Sequence, residues 1–177
     1  MHKTVQRGIE LGLVRYVDTN KGRCIEYIQV RKIYPIGKPE EWVRLLAYLH
    51  LAMVMGYPPE HIALEYAIKM GSSYRYADIV VFADAEWRVP HLLVECKQEA
   101  IGARGFAEGI KQAESYARQI NPRYVWVTSG ADGNNRYGIW QNGSLYALSY
   151  LPHFSAREIW WRELKRLVST FLRRKML

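Results

Sequence analysis

The sequence predicts an α/β protein in which helices flank a small central sheet of mixed strand direction, four to five strands wide. Three observations predict it. A helical pattern near residue 40 precedes three strand-like runs, and a second helical pattern then leads to one more strand. Such mixed order suits helices packed on both faces of one sheet. The central runs are short, apolar and separated by turn residues. Finally, 177 residues with 49% hydrophobic content suit one domain with a normal core.

Residues 1–38 read as a β extension. "GLVRYVDTNKGRCIEYIQVRKIYPI" carries β-branched and aromatic residues on both sides of "DTNKG", the pattern of a hairpin. Pro39 opens "PEEWVRLLAYLHLAMVMG", with acids in the first turn and Gly56 at the end, which are helix start and stop signals. Trp42, Leu46, Leu49 and Met53 recur at helical spacing and are expected to face the core.

"HIALEYAIKM" predicts a strand, "GSSYRY" a loop, and "ADIVVFA" and "HLLVECK" two further strands. Residues 103–120 predict a helix with Ala103, Phe106, Ile110, Ala113, Ala117 and Ile120 on one face. "RYVWVTSG" reads as a buried strand, and "YGIWQNGSLYAL" as a hairpin turning at Asn142-Gly143. The expected organisation is a single domain: extension 1–38, core 39–130, hairpin 131–154, and a basic amphipathic helix over 155–177.

The strand "HLLVECK" ends in an acid and a base two residues apart. Residues i and i+2 of a strand point to the same side, so Glu95 and Lys97 share a face. Burying both deep in a core is costly, and the end of a strand at a cleft is the cheaper place. Asp78 stands where the preceding apolar strand begins, and the connection between the two strands can bring it beside Glu95. Two carboxylates and an ammonium at one sheet edge suit a divalent metal with hard oxygen ligands, Mg²⁺ or Mn²⁺ rather than zinc.

The pattern of an aspartate, sixteen residues, then Glu-Cys-Lys resembles the signature of the PD-(D/E)XK nuclease superfamily. Five blocks in order are similar to its branch found at the N terminus of type I restriction enzyme R subunits. They are "PEEWVR" (39–44), "IALEYAIKMGSS" (62–73), "RYADIVVF" (75–82), "LLVECK" (92–97) and "QAESY" (112–116). The resemblance implies a restriction-endonuclease-like core and Mg²⁺-dependent hydrolysis of DNA. It implies that Asp78 and Glu95 bind metal together with the carbonyl of Cys96, and that Lys97 positions or activates the attacking water. It also implies that Gln112 and Tyr116, which share a helix side with Gly105 and Gly109, lie near the active site. An acid at the first helix start reaches the metal or its water in relatives; Glu41 is preferred here, with Glu65 a further candidate. One departure stands out. The arginine usual two residues before the strand aspartate is replaced by Tyr76, and Arg75 lies one position earlier.

A net charge of +8 and a pI near 9.5 favour a polyanionic partner. Arg75 and Arg104 flank the expected site. Arg162, Lys165 and Arg166 belong to the basic terminal stretch, which also carries Arg157, Arg173, Arg174 and Lys175 and is expected to track phosphates. Expected partners are DNA, a helicase or specificity subunit, and a second copy of the chain. The phosphate-loop pattern G-x-x-x-x-G-K-[ST] does not occur, so no motor is encoded in these residues. Cys24 and Cys96 have no metal-ligand spacing and read as free thiols. With no apolar segment long enough for a membrane and no secretory leader, a cytoplasmic protein is expected. A non-cleaving DNA-binding module or partner subunit that keeps the nuclease fold is the alternative reading.

Overall fold

A computed structural model describes residues 2–20 and 22–155 of the protein. The expected terminal basic helix, with Arg162, Lys165 and Arg166, lies outside the described residues.

The chain opens with a helix, α1 (Lys3–Glu10), followed by β1 (Val14–Thr19), β2 (Gly22–Tyr27) and β3 (Lys32–Pro35), which form an antiparallel sheet in that order. The expected hairpin is therefore present as β1–β2, with Thr19 paired to Gly22 at its turn. The reading of residues 1–38 as a β extension needs two corrections: a third strand and a preceding helix. Eight residues are too few for a helix to be stable alone. Packing supplies the difference: a Cβ at Gly8 would come within 2.5 Å of Leu49 Cδ2, so the glycine lets α1 lie close on the next helix.

That helix, α2 (Pro39–Met53), begins with proline in its first turn and Glu40 and Glu41 beside the positive end of its dipole. It ends before Gly56, whose φ of 74° favours glycine. Leu45, Tyr48 and Leu49 form its most deeply buried stripe, whereas Trp42, Leu46 and Met53 are only partly buried at the margin of the core. The expected stripe is thus displaced around the helix. The cause is that α2 packs against α1 as well as against the central sheet.

The main sheet has six strands, one or two more than expected: β4 (Ile62–Met70), β5 (Ser73–Phe82), β6 (Pro90–Cys96), β7 (Tyr124–Thr128), β8 (Asn135–Gln141) and β9 (Ser144–Leu148). They lie side by side in chain order. All neighbours are antiparallel except β6 and β7, which α3 (Ala103–Ile120) joins by a crossover. The hairpin over 131–154 widens this sheet, and its turn places Asn142 and Gly143 at φ 51° and 75°, the geometry that Asn-Gly favours. The segment "GSSYRY" is a third correction: residues from Ser73 onward pair with β4 and belong to β5, not to a loop.

One core lies between the sheet and α2, closed by Val14, Ile25 and Tyr27 of the N-terminal sheet. The other lies beneath α3. β6 is buried on both faces along nearly its whole length, which explains its continuous apolar run. On α3, Ala113 and Ala117 are buried and Phe106, Ile110 and Ile120 partly so, but Ala103 is exposed.

Candidate active site at the fork between β5 and β6

β5 and β6 run paired from Phe82–Pro90, through a register shift, to Ile79–Val94, and there the ladder ends. Beyond that point β5 stays with β4 as far as Ser73, while β6 stays with β7 as far as Cys96. The strands part like a fork. Such a gap exposes backbone groups that must find other partners. The Asp78 carboxylate fills it: Asp78 Oδ2 accepts a hydrogen bond from the Cys96 amide at 2.8 Å.

Glu95 and Lys97 project toward α3 from the β6 side of the fork. Lys97 Nζ donates to Glu95 Oε1 at 2.9 Å and to Gln112 Oε1 at 3.0 Å, and Gln112 Nε2 donates to the Tyr116 hydroxyl at 2.9 Å. The four residues expected from Glu95 to Tyr116 therefore form one continuous relay. Gly109 completes it by absence of a side chain. A Cβ there would sit 2.8 Å from Lys97 Cε, so the glycine on α3 admits the lysine stem. Of the two glycines expected on this side of the helix, Gly109 makes room for a side chain, and Gly105 lies against Ile101.

Electrostatics follow from burial. The Glu95 side chain is 3% exposed, and its Oε2 has no hydrogen-bond partner among the described residues. Burial, followed by repulsion from Asp78, pushes the Glu95 carboxyl up to about 8, although Lys97 opposes this. Burial likewise raises Asp78 to about 6, against the Cys96 amide, Arg44 and Lys97. Burial works against the charge on Lys97, but Glu95 and Asp78 outweigh it and hold the ammonium above its ordinary range. The charge of Glu40, at the start of α2, also acts on all three groups.

One organising residue escaped the sequence reading. Arg44 is 3% exposed inside the fork. Its Nη2 donates to Glu41, and its Nη1 donates to Glu65 Oε1 at 3.1 Å and to Asp78 Oδ1 at 3.4 Å. Its guanidinium lies 4.5 Å from the ring centre of Tyr34, which β3 supplies. Glu41 and Glu65, both proposed as acids of the site, are thus tied to this arginine. Glu65 sits at φ 45°, between the Leu64–Ile79 and Tyr66–Ala77 pairs. The reversal moves the strand across the sheet: Leu64 joins the core under α2, whereas Tyr66 packs against the core under α3. Signals for Arg44 were present in "PEEWVR", since an arginine on a buried helix face requires carboxylate partners.

The remaining expected residues contribute no side chain to the fork. The Cys96 thiol is buried and turned into the core under α2, where burial drives its pKa well up. Arg75 is exposed on β5, three residues from Asp78. Arg104 is exposed on α3 and its Nε lies 3.4 Å from Glu108 Oε1. Among the described residues, no group of three or more His, Cys, Asp or Glu side chains is placed to hold a metal ion. No described helix is long and apolar enough to cross a membrane.

Comparison with known families matches residues 39–135 to the type I restriction enzyme R protein N terminus. A search of curated proteins gives no match. The matched segment runs from the start of α2 into β8 and contains every side chain of the fork except Tyr34.

Proposed function

Because the chain belongs to the family of type I restriction enzyme R protein N termini, we propose that it is a metal-dependent phosphodiesterase acting on DNA. The observation that carries this reading is the convergence of Asp78, Glu95 and Lys97 where β5 and β6 part. An acid pair and an ammonium held by α3 stand together where two interior strands part, reached from solvent through Asp78 and Lys97.

The donor set fits a hydrated Mg²⁺ or Mn²⁺ ion. Magnesium is commonly held by one or two carboxylates and keeps several waters, so a third acidic ligand is not required. Glu95 Oε2 is a buried oxygen without a partner among the described residues, and a divalent cation would offset the burial that raises both carboxyl pKa values and the Asp78 repulsion that adds to it at Glu95. Asp78, Glu95 and the Cys96 carbonyl would hold it. When bound, the ion supplies positive charge to the scissile phosphate and lowers the pKa of water nearby.

The chain's own residues do the rest. Lys97 orients the attacking water and donates to phosphate oxygens as negative charge grows on them. Gln112 holds the Lys97 ammonium, and Tyr116 holds the Gln112 amide, so the ammonium is positioned before substrate arrives. Arg44 fixes the rotamer of Asp78 from behind. Water adds to phosphorus as the bond to the 3′ oxygen breaks; the water releases a proton to solvent and the 3′ oxygen takes one up, leaving a 5′-phosphate and a 3′-hydroxyl. DNA is drawn in by the positive charge of the chain, with Arg75, Arg104, Arg162, Lys165 and Arg166 as phosphate contacts. A motor or specificity subunit of a restriction system is the proposed protein partner.

The test is cleavage of supercoiled, linear and single-stranded DNA with Mg²⁺, Mn²⁺ or EDTA, wild type beside Asp78→Ala. Metal-dependent cutting lost in the variant is expected. No cutting by either protein, with salt-sensitive DNA binding intact in both, replaces the hydrolase with a binding module.

A further inference from the structure

The β4–β5 ribbon continues past the fork to the Met70–Ser73 pair and carries two exposed tyrosines. Tyr74 is 59% and Tyr76 is 61% exposed. After the reversal at Glu65, Ile68 and Ala77 are buried in the core under α3. Their strand neighbours therefore face the other way. That open face holds Tyr74 and its partner Lys69, then Tyr76 and its partner Ala67, and it leads to Asp78 two residues farther on.

We propose that Tyr74 and Tyr76 form a stacking platform for unpaired bases, making DNA with single-stranded nucleotides beside the scissile phosphate the preferred substrate. Three observations carry this. First, both tyrosines are exposed on one face of the ribbon, where Lys69 pairs with Tyr74 and the small Ala67 pairs with Tyr76, leaving the rings uncovered. A cation beside an exposed ring suits a phosphate next to a stacked base. Second, residues i and i+2 of a strand lie about 6.8 Å apart. This is twice the ~3.4 Å rise between stacked nucleotides, so one base fits between two rings mounted there. Third, the ladder from Ala67–Tyr76 to Met70–Ser73 holds the ribbon rigid, so the platform is formed before DNA arrives. Bases within an intact duplex already stack on one another and offer no face to such rings. The net charge of +8 supplies the sequence-independent attraction.

The inference rests on the reading of DNA as substrate but not on cleavage, so binding is measured alone, in EDTA. Fluorescence anisotropy compares a short labelled single strand, the same strand with abasic nucleotides, and its duplex. Wild type is expected to bind the single strand more tightly than the duplex, and to lose about 10-fold on the abasic strand. Tyr74→Ala with Tyr76→Ala should lose about 10-fold or more on the normal strand and little on the abasic one. Tyr74→Phe with Tyr76→Phe should bind like wild type, because stacking needs the ring and not the hydroxyl. The salt dependence should stay unchanged in the alanine pair, since no phosphate contact is removed. Equal affinity for normal and abasic strands overturns the proposal, as does a phenylalanine pair that loses as much as the alanine pair. So does an alanine pair with unaltered DNA affinity whose self-association, measured by sedimentation, is lost; the face would then join two copies. Absence of hydrolysis in the cleavage assay leaves this outcome unaffected.

Discussion

The Cys96 amide and the Asp78 carboxylate meet at 2.8 Å across the gap where the β5–β6 ladder ends. One side chain thereby takes the place of a strand–strand hydrogen bond at the spot where chemistry is expected. The aspartate has a structural duty as well as a proposed catalytic one, and the two can be separated by choice of substitution.

Asp78→Asn keeps an oxygen acceptor for the Cys96 amide, whereas Asp78→Leu leaves that amide unsatisfied. Denaturant unfolding should show Asp78→Leu destabilised by about 1–3 kcal/mol relative to Asp78→Asn. Both should lack metal-dependent cleavage. Equal stabilities would mean that the amide finds another partner.

Lys97→Ala should fold, bind DNA and lose cleavage by about 100-fold or more, since the donor aimed at developing charge is gone. Single-turnover cleavage at saturating protein separates this from weakened binding. An unchanged rate removes Lys97 from the mechanism.

Gly109→Ala tests the fit between α3 and the lysine. Alanine in a helix is favoured over glycine by roughly 1 kcal/mol, so the melting temperature should hold or rise. The new methyl, however, meets Lys97 Cε at 2.8 Å and displaces it. Cleavage should fall by at least ~10-fold while stability does not. A variant both stable and fully active would show that the lysine position is not critical.

Arg44→Ala should be the most destabilising of the single changes, by about 3–5 kcal/mol, because it strands Glu41, Glu65 and Asp78 without their shared cation. Arg44→Lys should recover only part of this, since one ammonium cannot present the planar fork that reaches all three. Equilibrium unfolding of both variants decides it.

The raised carboxyls set a pH dependence. Glu95 moves from 4.5 to about 8 and Asp78 from 3.8 to about 6, so between about pH 4 and 8 the metal-free folded chain holds more protons than the unfolded one. Stability contributed by this pair therefore falls as pH rises through that window. Glu95→Gln should flatten the fall, and the variant's advantage over wild type should be larger at pH 8 than at pH 5. Mg²⁺ should raise the wild-type melting temperature more at pH 8 than at pH 6, and do so less in Glu95→Gln. Parallel pH curves for the two proteins would place the titrating groups elsewhere.

Much of this molecule was legible locally. The turn at Asn142-Gly143, the proline and acids opening α2, and the i, i+2 spacing of Glu95 and Lys97 each follow from neighbours in the chain. So does the helical i, i+4 spacing that lets Gln112 reach Tyr116. Other features depend on partners far away. The segment "GSSYRY" reads as loop because Gly71, Ser72 and Ser73 are turn residues, and from Ser73 onward it becomes strand only through pairing with β4. The short helix α1 is held by the close approach of Gly8 to Leu49, which no periodicity announces.

By itself, then, the sequence determined the order of most elements, the charge of the chain, and which acid, base and amide stand at the strand and helix positions of the candidate site. These are consequences of backbone period and residue chemistry within a few positions. Only the tertiary structure decided that β5 and β6 part at Asp78, that Arg44 gathers Glu41, Glu65 and Asp78, and that Gly109 makes room for Lys97. Each of these depends on distances between residues remote in the chain, and on the exclusion of water that gives a buried carboxylate its raised pKa.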